Sequence, residues 1–217
     1  SGGTLRTELP IRGTLVVSGG AVLQTSNRVT GTLVMTNSAQ VSGPLVVANG
    51  AKLVMGGGSN VLVSDRGFDG IVLVTTELAD IEPLENERYR VECGAPLNRL
   101  VRQIMLNKNY AGVGGLTGIP GSVGGAIYMN AGTVNGSTCQ LLESVDLLSR
   151  EGLRTVAMED SLYGYRGQTF CPPGALILSG IFRFQRSKED QQAVYYHYMQ
   201  RRIEKQPRDR CCGSVLK

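Results

Sequence analysis

Short apolar runs separated by small polar residues dominate the first fifty positions. Three of them align without gaps: Gly13–Leu23 (GTLVVSGGAVL), Gly31–Val41 (GTLVMTNSAQV) and Gly43–Leu53 (GPLVVANGAKL). Each copy carries a β-branched run, a small polar turn such as Ser18-Gly19-Gly20 or Asn49-Gly50, and a second short apolar stretch. This pattern predicts short strands that stack as rungs of a short β-solenoid or fold as an antiparallel meander. The copies begin at residues 13, 31 and 43, 18 and then 12 residues apart, so the period is irregular.

Beyond residue 50 the periodicity is mixed. Leu53–Met55, Val61–Val63, Ile71–Val74, Tyr89–Cys93, Ser144–Leu148 and Leu176–Phe184 read as strands. Leu97, Leu100, Val101, Ile104 and Met105 recur at helical spacing behind Pro96, a residue suited to a first helical turn. Gly112 to Gly136 reads as one glycine-rich loop, and Ser187 to Gln206 as a helix stopped by Pro207. The expected class is α+β, organised as a β-repeat segment over 1–50, an α+β domain over 51–186, and a linking helix that opens a further region over 187–217.

Composition narrows the picture. The 217 residues are 41% hydrophobic and 18% charged, which suits packed domains and excludes a disordered or fibrous chain. There are 29 glycines, where ordinary usage of about 7% predicts about 15, so turns and close backbone approaches are frequent. No apolar run approaches the about 18 residues of a membrane span. Basic (22) and acidic (18) residues are intermixed and the net charge is +4, so neither a nucleic-acid nor a membrane partner is expected, while an anionic small molecule fits.

Five cysteines, Cys93, Cys139, Cys171, Cys211 and Cys212, make an odd number without C-x-x-C spacing, which predicts thiols in a reducing cytoplasm rather than disulfides or zinc. The single histidine, His197, has no clustered acid, so no metal is expected. The chain opens at Ser1 without a leader and ends at Lys217 in an unfinished segment, as a fragment would.

Two segments carry candidate chemistry. Gly56, Gly57, Gly58, Ser59 and Asn60 follow the strand ending at Met55, and such a run lets backbone N–H groups close on an anion. It lacks the Lys-Ser/Thr of a P-loop and the spacing of a Rossmann turn, so a plain glycine hairpin is the competing reading. The second segment, Gly114–Gly132 (GGLTGIPGSVGGAIYMNAG), is glycine among apolar residues with no charge, suited to a backbone packed against something flat or close.

Five blocks in order, Gly56–Asp65 with Arg66-Gly67-Phe68, Gly115–Gly132, Tyr163-Gly164-Tyr165-Arg166, Gln206-Pro207 and Cys212–Lys217, resemble the UDP-N-acetylenolpyruvoylglucosamine reductase (UDP-N-acetylmuramate dehydrogenase) family. The resemblance covers residues 51–217. It implies a PCMH-type FAD-binding α+β domain and a cytoplasmic flavoenzyme of peptidoglycan synthesis. Such an enzyme takes hydride from NADPH and reduces a UDP-sugar, the enolpyruvyl ether of UDP-N-acetylglucosamine, to UDP-N-acetylmuramate.

The family's flavin loops match Gly56, Gly57, Gly58, Ser59 and Asn60, and Gly118, Ile119, Pro120, Gly121, Ser122, Val123, Gly124, Gly125 and Ala126, with Asn130 and Gly132. Ile119 and Val123 are expected to pack on the ring system. The resemblance makes Arg166 the active-site arginine at the substrate carboxylate and the developing enol, with Tyr165 and Lys217 as further substrate contacts. It makes Ser214 the proton donor to C2, a role that needs a cation such as Lys217 to stabilise the alkoxide. Arg201 and Arg202 close the helix before Pro207, where the helix dipole favours cations, and a substrate diphosphate is a second use for them.

Two departures from the family stand out. Residues 1–50 replace its small α/β lobe by the repeats, and the chain stops before the substrate domain that carries a catalytic glutamate, so impaired turnover is expected. The competing classes are a non-catalytic β-solenoid interaction protein with a remnant flavin domain, and another FAD-linked oxidase of the same fold.

Overall fold

A computed structural model describes residues 4–7, 14–17, 22–25, 28–29, 32–35, 40–42, 46–47, 52–59 and 71–205. They fall into two units, Ser1–Met55 with Val61–Glu77, and Gly56–Asn60 with Leu78–Lys217.

The first unit is built of parallel ladders. Its strands are β1 (Thr4–Thr7), β2 (Thr14–Val17), β3 (Val22–Thr25), β4 (Arg28–Val29), β5 (Thr32–Met35), β6 (Gln40–Ser42), β7 (Val46–Val47), β8 (Lys52–Met55) and β9 (Ile71–Val74). They form sheets of order β1-β3-β6, β2-β5-β9-β8 and β4-β7. Thr4 pairs with Val22 and Val22 with Gln40, Thr14 pairs with Thr32, and Arg28 with Val46, a constant offset of 18 residues. Parallel pairing cannot be made by tight hairpins, so the meander expected as an alternative is not what these strands form.

The irregular period is also corrected. The copy beginning at Gly43 places Val46 on Arg28 rather than on β5, so its 12-residue echo belongs to a neighbouring ladder. The ladder of β5 continues instead to β9, where Leu33 pairs with Ile71, and β9 in turn pairs with β8.

The second unit is an antiparallel sheet with helices on one face. Its elements are β10 (Ile81–Leu84), β11 (Arg88–Glu92), α1 (Leu97–Arg99), α2 (Val113–Leu116), α3 (Val123–Tyr128), β12 (Gly132–Thr133), β13 (Gly136–Ser137), β14 (Leu142–Ser149), β15 (Gly152–Ala157), β16 (Tyr163–Gly164), β17 (Gly167–Gln168), β18 (Leu176–Arg183) and α4 (Gln191–Lys205). The sheet order is β10-β11-β18-β14-β15. Val91, Val145, Leu147 and Phe182 from the sheet meet Leu97, Leu100, Met105, Leu116 and Ile127 from the helical layer in one fully buried core. The aromatic end of that core stacks Tyr110 on Phe184, centroids 5.0 Å apart.

Tyr110 donates its hydroxyl hydrogen bond to Glu87, which sits at φ 57° in the β10–β11 turn. Burial and that bond push the Tyr110 phenol up. The same bond, with Arg186 3.1 Å away, holds the Glu87 carboxyl below its usual range.

Three sequence expectations change here. The helix at Leu97 continues past Arg99 as a π-type turn over Leu100–Leu106, whose wider i→i+5 winding buries Leu106 and leaves Ile104 half-buried. The glycine-rich stretch 112–136 is not one loop: it holds α2, α3 and the β12–β13 hairpin. Glycine is tolerated in these short helices because neighbours come too near for a side chain. A Cβ on Gly114 would lie 2.8 Å from the Tyr198 ring, and one on Gly124 2.7 Å from Cys93 Cβ. The last helix starts at Gln191 rather than Ser187, with the Asp190 carboxylate accepting from the Gln192 N–H at 2.9 Å. Val61–Val63 and Pro207 lie outside the described residues.

Candidate active site

The two glycine segments that stand out in the sequence meet backbone to backbone. A Cβ on Gly56 would lie 1.8 Å from Ser122 Oγ and 2.7 Å from Ser122 Cβ, and one on Gly57 3.4 Å from Gly121 Cα. Gly121, at φ 101°, faces Ser59, whose Oγ would be 2.9 Å from a Cβ there. Glycine is required at Gly56 by the close approach and at Gly121 by its φ, and Gly58 (φ 68°) and Gly118 (φ 70°) add left-handed turns.

Behind this contact the second loop is stitched to the strand that precedes α1. Leu97 N–H donates to Gly121 O (2.9 Å), Val123 N–H to Ala95 O (2.8 Å) and Gly124 N–H to Cys93 O (2.7 Å). Ser122 caps α3 with a long 3.5 Å bond from the Gly125 N–H. Among the described residues, nothing accepts from the amides of Gly57, Gly58, Ser59 or Gly121. Amides on glycine turns with no acceptor among the described residues have the chemistry of an anion cradle, which fits the pyrophosphate of a dinucleotide.

Not every residue expected at the cofactor faces that cradle. Val123 is fully buried in the core and its amide is held by Ala95, so it cannot pack on a ring system; Ile119 is only half-buried. Ala126 is buried as well, and the atom nearest to a Cβ on Gly125 would be Ser122 Oγ, at 3.7 Å. Gly124 serves the approach to Cys93, and Gly132 lies so near β13 that a Cβ would be 2.3 Å from Gly136 O. Pro120 is exposed between Ile119 and Gly121. Arg202 of α4 lies along the first turn of the loop: its Nη1 donates to Thr117 O at 3.4 Å, and its Nε would be 2.7 Å from a Cβ on Gly118.

Tyr165 and Arg166 are the two turn residues of the β16–β17 hairpin, where Gly164 pairs with Gly167. Both are exposed, and the Arg166 guanidinium lies 5.3 Å from the Tyr165 ring centre. Arg166 has φ 57°, a conformation that a side chain other than glycine adopts at a cost of order 1 kcal/mol. The hairpin is fastened at its base by Tyr163, whose hydroxyl donates to Asp160 at 2.6 Å; that bond and burial push the phenol up to about 12. On the α3 side, Asn130 Nδ2 donates to Gly164 O at 2.8 Å. Asn130 is itself buried, at φ 41°, and its Oδ1 accepts from the Cys139 N–H at 3.1 Å.

Asn60, Ser214 and Lys217 lie outside the described residues. Asn130 is legible in the sequence as part of the Asn-Ala-Gly motif, but nothing there points to its contact with a hairpin 34 residues away.

The family model described as FAD binding domain matches residues 29–156, more than half of the chain, and that match makes the chain a member of the FAD-binding class. Among curated proteins, the chain is 42% identical over 170 residues to the UDP-N-acetylenolpyruvoylglucosamine reductase of Thermotoga maritima, covering 76% of this chain and 58% of the relative. It is 36% identical over 169 residues to that of Clostridium botulinum (strain Okra / Type B1), covering 76% and 54%. The crystal structure of UDP-N-acetylenolpyruvylglucosamine reductase from Thermus caldophilus superposes with a TM-score of 0.64 at 30% identity, over 76% of this chain and 60% of that one. The chain belongs to the UDP-N-acetylenolpyruvoylglucosamine reductase family, and it spans somewhat more than half the length of these relatives. No helix among the described residues is long and apolar enough to cross a membrane, and no group of three or more His, Cys, Asp or Glu there is placed to hold a metal.

Proposed function

We propose that the protein binds FAD between its two glycine loops and serves the reduction of the enolpyruvyl ether of UDP-N-acetylglucosamine to UDP-N-acetylmuramate, the cytoplasmic peptidoglycan step that uses NADPH. The observation that carries this is the back-to-back contact of Gly56–Ser59 with Gly121–Ser122, where no described residue accepts from the amides of Gly57, Gly58, Ser59 or Gly121, in a chain whose relatives bear that enzyme's name. FAD, when bound, supplies hydride chemistry.

This chain's residues do the rest. The amides of Gly57, Gly58, Ser59 and Gly121 hold the pyrophosphate, with Asn60 adding a side-chain donor and Ile119 an apolar edge. Arg166, always charged and exposed on its turn, grips the substrate carboxylate and stabilises the negative charge that develops there, with Tyr165 beside it. Ser214 delivers a proton to C2, and Lys217 stabilises the alkoxide left behind. The reading takes residues 1–50 as coils of a short β-solenoid, on the strength of the constant 18-residue offset of its ladders.

The test is a flavin titration of the purified chain. Added FAD is expected to lose fluorescence and to co-elute with the protein, and the UDP-linked enolpyruvyl sugar to perturb the visible bands. FAD that stays free at protein concentrations of tens of micromolar refutes the proposal.

A further inference from the structure

We propose that Asn130 is a positioning residue: its side-chain amide locks the Tyr165–Arg166 turn to the end of α3 and thereby fixes Arg166 relative to the glycine loop that leads into that helix. Its catalytic meaning rests on the role proposed above for Arg166; the mechanical claim does not.

Three observations carry it. Asn130 is only 5% exposed and both ends of its amide are engaged by backbone, Nδ2 with Gly164 O at 2.8 Å and Oδ1 with Cys139 N–H at 3.1 Å. One partner can only accept and the other can only donate, so the orientation of the amide is settled by chemistry. The side chain is thereby committed to the hairpin and to Cys139, and only its second N–H and second oxygen lone pair remain for anything else.

Second, the hairpin is short, and the bonds at its base, Thr169 N–H to Leu162 O (2.9 Å) and Tyr163 Oη to Asp160 (2.6 Å), hold its stem and not its turn. It has two residue pairs, Tyr163 with Gln168 and Gly164 with Gly167, and a ladder that short is not independently stable. Third, its turn keeps Arg166 at φ 57°, a strained conformation that persists only where the surroundings enforce it. Gly164, whose carbonyl Asn130 holds, is the residue immediately before the turn. Asparagine is demanded because one short planar group must present a donor and an acceptor at once. Serine is too short to span both partners, and an aspartate carboxylate repels the Gly164 oxygen.

The chain contains no tryptophan, so one introduced at the turn is a clean reporter. Tyr165→Trp places an indole beside Arg166, and Leu153→Trp, on an exposed position of the β14–β15 hairpin, is the control. Each is combined with Asn130, with Asn130→Asp and with Asn130→Ala in the full chain. At neutral pH, Asn130→Asp and Asn130→Ala are expected to raise iodide quenching of the turn indole about twofold and to lower its anisotropy, with the control indole unchanged. On acidification the Asn130→Asp signal is expected to return to the Asn130 value, because a protonated carboxyl again offers a donor and an acceptor, whereas Asn130→Ala does not recover. Asp160, Tyr163, Arg166 and Cys139, the ionisable groups around the amide, are common to all chains, and the Asn130 chain measured in parallel removes their contribution.

An unchanged turn indole, equal shifts of the turn and control indoles, or the absence of acid recovery overturns the proposal. Should Asn130→Asp not fold, hydrogen exchange in the unsubstituted chain decides. The Asn130 side-chain NH2 is expected to exchange at least about tenfold more slowly than those of exposed Asn107 and Asn135, and equal rates overturn it. No measurement here uses flavin or substrate, so its failure and that of the flavin titration are separable.

Discussion

Replacing Gly56 by alanine tests whether the close approach of the two glycine loops depends on nothing more than the missing Cβ. The new atom would sit 1.8 Å from Ser122 Oγ and 2.7 Å from Ser122 Cβ. Rotating the hydroxyl relieves the first clash. The second remains, because Cβ is fixed to the backbone, so the loops must part by about 1 Å to reach an ordinary carbon–carbon contact of about 3.5–4.0 Å. Gly56 has no positive φ, so the penalty is purely steric and of the overpacking kind, about 1–3 kcal/mol.

The structure also names the compensating change. Ser122→Gly removes both clashing atoms, and the next atom, Ser122 Cα, lies at a comfortable 3.9 Å. On its own it costs a few tenths of a kcal/mol, since the capping bond to Gly125 N–H is already long at 3.5 Å. Urea unfolding of the two single variants, the double variant and the parent, followed by far-UV circular dichroism, gives the coupling energy. We expect the double variant to match Ser122→Gly, a coupling equal to the whole Gly56→Ala penalty of about 1–3 kcal/mol, and flavin affinity to fall about tenfold or more in Gly56→Ala and to recover in the double variant. Additivity within about 0.5 kcal/mol would refute the reasoning, because it would mean the two loops do not touch as described.

Two further outcomes follow from titratable groups in the second unit. Burial pushes the Asp146 carboxyl up, but hydrogen bonds from Thr155 Oγ1 (2.6 Å) and Ser179 Oγ (2.9 Å) and the Arg90 guanidinium at 2.7 Å outweigh it and hold the group below its ordinary value. A depressed carboxyl stabilises the fold fully above its unfolded value of about 4 and loses that contribution as pH falls through the folded value. Asp146→Asn is therefore expected to cost about 1–3 kcal/mol at pH 7, kept modest by the half-exposed Arg90, and to narrow its gap to the parent in urea midpoints measured near pH 3. An equal gap at both pH values refutes it. Burial pushes the Cys139 thiol up to about 12, so at pH 8 about one molecule in ten thousand carries the thiolate. Mass spectrometry after iodoacetamide is expected to find Cys139 unmodified in the native chain and modified in urea; native labelling within minutes would contradict its burial.

The cradle and most strands are legible in the sequence because their signals are local. Glycine density marks both loops, alternation and β-branching mark β8, β9, β14 and β18, and helical spacing marks α4 to within four residues of its start. What is not legible depends on partners distant in the chain. Gly114 and Gly124 look like loop residues until Tyr198 and Cys93 are placed against them. Val123 looks available to a ligand because hydrophobicity does not say which way a side chain faces, and here the core takes it. The winding at Leu100–Leu106 follows a period that no ordinary helical template tests, and the pairing of Val46 with Arg28 depends on register between ladders rather than on likeness of the text. Asn130 joins both groups: its motif is visible, its use is not.

The shared displacement of the β1-β3-β6, β2-β5 and β4-β7 ladders makes the length of that stretch a modular quantity, up to the step where Leu33 meets Ile71. Within those ladders, a shift by a whole block of eighteen residues brings each strand opposite an equivalent neighbour, whereas a slip by a single position would turn its inward side chains outward.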